Sequence, residues 1–192
     1  GPVHITLTAT DAADPVSDIR VMREDQAAMY AAGAIFNPDW LRVINDARAV
    51  RFMDWMQTNG SAQDTWDDRP LVSDFSYAWR GVPVEIMVEL ANEIGADPWF
   101  TIPHQADDDY VAAFAAQVRD TLDPRLIVLA EWSNEVWNFT FPQAAWAQEQ
   151  ALARWGDDAA DDAWMQFAGT RAAEVADIWA TTFVEEPGRL MR

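Results

Sequence analysis

The chain has 192 residues, half of them hydrophobic, with 32 acids against 13 bases for a net charge of −19. That composition excludes disorder as a class, predicts no membrane partner, and repels phosphate backbones so that no nucleic-acid partner is expected. Cysteine is absent and histidine occurs only at His4 and His104, which removes disulfides, thiolate catalysis and a His-rich metal site, so no metal and no cofactor is expected.

In chain order, residues 3–10 alternate and are β-branched, which predicts a strand, and Ile19-Arg20-Val21-Met22 predicts a second, so that residues 1–30 form a short N-terminal β hairpin. Asn37-Pro38 supplies an N-cap and a first-turn proline for a short helix through Leu41 and Ile44. Residues 49–54 predict a strand ending at Asp54-Trp55, followed by a long polar loop from Gln57 to Gly81; loops of that length in a compact domain are usually functional. Pro83 opens a helix whose apolar stripe is Val84, Met87, Leu90, Ala91 and Ile94, and Gly95 occupies the left-handed position that ends it. Residues 98–103 predict a strand ending at His104. Asp107 to Asp109 then begin a helix at the end the macrodipole favours for acids. Arg125 to Ala130 is the clearest buried strand, ending in Glu131-Trp132-Ser133-Asn134-Glu135. Pro142 starts a helix to Trp155, a longer one follows the break at 156–162, and residues 189–192 begin another strand.

Strictly alternating helices and strands build parallel sheets. The fold class expected for residues 31–192 is therefore α/β, with parallel β/α units forming a partial (half) TIM-type barrel, since a full (β/α)₈ barrel takes about 250 residues. Strands 49–54, 99–103 and 125–132 are expected to be parallel neighbours. An open three-layer α/β sheet is the alternative.

Chemistry in such sheets collects at the carboxyl ends of strands. Three ends carry suitable groups: Asp54-Trp55, His104-Gln105 and Asn134-Glu135. With 11 tryptophans in the chain, whose flat faces suit both core packing and sugar stacking, these ends make a candidate sugar site. His104, Asp54, Trp55, Trp66, Trp132 and Trp137 are the candidate substrate-binding residues. Asp54 is alternatively an ion-pair partner for Arg51. If the strand stays regular, Glu131, Ser133 and Glu135 share one face, with Glu131 about 13 Å deeper and in need of hydrogen-bond partners.

The run Trp132-Ser133-Asn134-Glu135-Val136-Trp137-Asn138, at the end of an apolar strand, resembles the fourth-strand Asn-Glu motif of retaining glycoside hydrolases of the clan A barrel type. Arg51 to Trp55, Thr58-Asn59, Trp99 to His104 and Glu131 to Asn138 extend the similarity to bacterial cellulose-binding or glycosidase-like proteins over roughly residues 36–150. The resemblance implies that Glu135 is the general acid/base of polysaccharide degradation and that Asn134 bonds the sugar 2-hydroxyl. It implies a nucleophile on a seventh strand, beyond Arg192, about 5–5.5 Å from the acid/base. A polysaccharide or oligosaccharide is thus the expected partner, and the chain is expected to be a fragment of a larger barrel or a homo-oligomer that completes one. No signal peptide is visible, yet the acidic surface suits an external milieu, and an extracellular location is expected. The competing expectations are a non-catalytic carbohydrate-binding protein and a self-associating structural half-barrel.

Overall fold

A computed structural model describes residues 4–17, 19–156 and 160–192. The chain divides into two compact units, Gly1–Trp40 and Leu41–Arg192. In the first, a 3₁₀ turn at Glu24–Gln26 leads into helix α1 (Ala27–Ala31), and Arg23 pairs with Asp25 and Asp39. The expected hairpin does not form: the described residues of 4–22 contain no strand. The reason is burial. Ile5, Leu7, Ile19 and Val21 are all exposed, so the alternation has no apolar face to cover, and an isolated two-stranded hairpin is marginal in water. Val3 and Asp18 lie outside the described residues.

Helix α2 (Pro38–Ile44) starts where Asn37 Oδ1 accepts the Asp39 amide. Among its described residues the larger unit holds four strands, β1 (Ala49–Arg51), β2 (Asp97–Ile102), β3 (Val128–Trp132) and β4 (Leu190–Met191). They form one parallel sheet in the order β1-β2-β3-β4, so the expected parallel neighbours are neighbours. Between them run α3 (Val84–Ile94), α4 (Asp108–Thr121), α5 (Pro142–Trp155) and α6 (Ala163–Thr182). Gly95 ends α3 at φ 68°, and Asp107 Oδ1 caps α4 by accepting the Tyr110 amide at 2.7 Å.

Sequential strand order with crossovers of one hand puts the crossover helices on one face. Pro98, Phe100 and Ile102 point to that face and are buried. The Phe100 ring lies 5.6 Å from Phe52, 5.2 Å from Phe114 of α4 and 6.5 Å from Trp179 of α6. Residues of opposite parity share the other face. Pairing Arg51↔Trp99, Trp99↔Leu129 and Thr101↔Glu131 puts these side chains together there, because partners in register project to the same side. No described helix is long and apolar enough to cross a membrane.

Candidate functional site

Strand parity and register assemble a polar cluster on the second face. Glu131 Oε2 accepts Arg51 Nη2 at 2.7 Å and Arg51 Nε at 3.2 Å. It also accepts Trp99 Nε1 at 2.9 Å and Thr101 Oγ1 at 3.4 Å. The mid-strand acid, partly exposed rather than buried, is thus partnered on the open face. Arg51, not paired with Asp54, bonds Glu131 and lies 4.8 Å from the Trp99 ring centroid.

Arg51 Nη2 also donates to Asn134 Oδ1 at 3.1 Å. Asn134 Nδ2 donates to Asn59 Oδ1 at 3.0 Å. Gln143, fully buried at the start of α5, closes the circuit: its Nε2 donates to Asn59 Oδ1 at 2.7 Å and to the Asn134 carbonyl at 2.8 Å, while its Oε1 accepts the Gly60 amide at 3.0 Å. The amide of Asn134 is therefore oriented from both ends.

The backbone changes course here. Ser133 has φ 57° and Glu135 has φ 43°, left-handed values uncommon for residues with a Cβ, and such outliers cluster at functional sites. The regular parity expected for Glu131, Ser133 and Glu135 ends at Trp132. Instead Ser133 and Asn134 are buried and Glu135 is exposed, its Oε2 accepting Asn138 Nδ2 at 3.0 Å. Asn138 also donates its amide to the Glu135 carbonyl and accepts the Thr140 amide, fixing the turn into α5.

The parallel sheet brings Asp54-Trp55, His104-Gln105 and Asn134-Glu135 to its carboxyl end. Within that end their settings differ. Asp54 is exposed and Trp55 half-buried, 5.5 Å from Phe52. His104 is buried, edge-on to Trp146 at 5.3 Å. Burial lowers its pKa to about 4, which keeps the imidazole neutral. Trp132 is buried on the helix side between Trp146 and Phe167, each at 6.5 Å. Trp66 packs edge-on to Tyr110 at 5.5 Å with the Arg69 guanidinium 4.3 Å from its ring. Trp137 remains 62% exposed. Arg51, Glu131, Asn59 and Gln143 were missed as a site by sequence reasoning; the parity of Arg51, Trp99 and Glu131 carries the signal, and the strand register completes it. Among the described residues, no group of His, Asp and Glu is arranged to hold a metal.

Comparisons with protein-family models, with curated proteins and with solved structures give no match for this chain.

Proposed function

We propose that the chain is a retaining glycoside hydrolase-like protein acting on a polysaccharide outside the cell, its four strands forming part of a (β/α)₈ barrel. The observation that carries this is the position of Glu135. It stands exposed just past the end of a parallel strand, beside an asparagine whose side-chain amide is held by Arg51 and Asn59 and whose backbone carbonyl is held by Gln143. Barrel enzymes collect their chemistry at that end of the sheet, and preorganised polar groups there cost no reorganisation during reaction.

In this reading the Glu135 carboxylic acid donates its proton to the glycosidic oxygen as the C–O bond breaks and the leaving alcohol departs. The resulting carboxylate takes a proton from the water that later attacks the glycosyl carbon. Asn134 uses one Nδ2 hydrogen on Asn59, which leaves the other for the sugar 2-hydroxyl. The nucleophile that forms the glycosyl intermediate comes from a further strand, so hydrolysis is to be measured in the completed barrel.

The test is Glu135→Gln assayed there on aryl glycosides. A poor leaving group needs the proton and a good one does not. The variant is expected to lose activity far more on the poor leaving group, with added azide restoring turnover on the good one. Equal, small losses on both would contradict the role of Glu135 and support a non-catalytic carbohydrate-binding protein.

A further inference from the structure

The loop between β1 and α3 presents a second feature. Trp79 is 77% exposed, yet the backbone that carries it is gripped on both sides. Gln57 Nε2 donates to the Ala78 carbonyl at 2.5 Å, and the buried Gln63 donates from Nε2 to the Arg80 carbonyl at 2.8 Å. Gln63 is itself fixed by the Tyr110 hydroxyl, which donates to its Oε1 at 2.9 Å. The next residue, Gly81, has φ 94°, and a Cβ there would come within 2.5 Å of the Trp55 carbonyl oxygen. Val82 donates to that same oxygen at 2.7 Å. Gln57 has a left-handed φ of 48°. Phe75 meets the Trp79 ring edge-on at 5.4 Å. The backbone that carries Trp79 is thus held in place while its ring, touched edge-on by the exposed Phe75, stays out of the core, and an exposed aromatic on an anchored backbone is the form a stacking platform takes.

Trp79 lines a cleft of about 300 Å³ together with Gln57, Asn59, Ser61, Asp68 and Arg80. That volume is at the lower end of the range of small-ligand sites. Its wall mixes one apolar ring with amides, a hydroxyl, a carboxylate and a guanidinium, the donor and acceptor set that suits a hydroxyl-rich ligand. Asn59 belongs to both this cleft and the Asn134 network, so one side chain links the cleft to the strand end that carries Glu135. The net charge of −19 opposes a polyanion.

We propose that this cleft is a sugar subsite, in which one pyranose unit of a neutral polysaccharide stacks on Trp79 and hydrogen-bonds Asp68, Arg80 and the Gln57 and Asn59 amides. The inference rests on the polysaccharide reading of the strand end and extends it to a neutral substrate class and a second point of attachment.

Affinity electrophoresis of the 192-residue chain in gels holding hydroxyethyl cellulose, galactomannan or xyloglucan tests it, with polygalacturonate as the anionic arm. Wild type is expected to be retarded by at least one neutral polysaccharide. Trp79→Ala is expected to weaken that retardation on the order of tenfold or more, as loss of an aromatic anchor does, and Trp79→Phe to keep part of it. Trp155→Ala, at the far end of α5, serves as the control and binds as wild type does. Circular dichroism and the unfolding midpoint of Trp79→Ala should match wild type, since the side chain is outside the core. Equal retardation of wild type and Trp79→Ala overturns the subsite and leaves the strand-end reading standing. Retardation by polygalacturonate alone overturns the neutral class, and no retardation in any gel overturns the subsite outright. The Glu135→Gln leaving-group assay judges the catalytic reading separately, whatever Trp79 does.

Discussion

His104 lies two residues beyond β2, its ring edge-on to Trp146 and buried. Its pKa is lowered to about 4 by burial, against an ordinary value of 6.5. The unfolded chain therefore takes up a proton near pH 6.5 that the folded chain resists until about pH 4. Between those values the unfolded state binds more protons, so this contribution is fully present above pH 6.5 and is lost as pH falls towards 4. From pH 7 to pH 5 the loss is about 2 kcal/mol. Urea unfolding of wild type and His104→Gln at both pH values checks it. Wild type is expected to lose about 2 kcal/mol more than the variant over that interval, and equal losses would contradict a buried neutral imidazole. A strand-end position made His104 a site candidate in the sequence. What sequence spacing could not show is the helix α5 tryptophan that covers it.

At the scale of elements, the junction from β3 to α5 is held by Gln143. It satisfies the Gly60 amide and the Asn134 carbonyl at once. Gln143→Ala leaves buried polar groups without a partner, which costs about 1–3 kcal/mol for each such group. The variant is expected to unfold at a clearly lower urea concentration with an unchanged slope, and a stability change under about 0.5 kcal/mol would show that water replaces the clamp. Much of this element scale was legible. The helices α3 and α4 carry their apolar stripes and caps in plain sequence, Gly95 and Asp107 included, and β2 and β3 are apolar runs of strand length. The turn at Ser133 was not legible. Left-handed φ in serine and glutamate leaves no compositional signal, so Glu135 was placed in register with Glu131 when the chain had already turned. The Arg51–Glu131 pair spans 80 residues, and in the sequence the nearby Asp54 is the partner that suggests itself for Arg51. The N-terminal alternation was legible as a pattern, but a pattern forms a strand only when something covers its apolar side.

At the scale of the whole molecule, the parallel order β1-β2-β3-β4 sets the helices and the aromatic core to one side and leaves Arg51, Trp99, Thr101 and Glu131 on the other. The carboxyl end of that sheet carries Asn134 and Glu135, and the loop after β1 adds the Trp79 cleft through Asn59. On the proposal made above, these parts belong to one sugar-binding surface on an acidic molecule. The most direct test is a titration of the ¹⁵N-labelled chain with a neutral oligosaccharide, followed by amide chemical shifts. Saturable shifts are predicted at Gly60, Arg80 and Glu135, with the amides at the end of α5 unmoved. Absence of any saturable shift with neutral oligosaccharides, or shifts confined to residues of the N-terminal unit, would contradict a polysaccharide site at the strand ends.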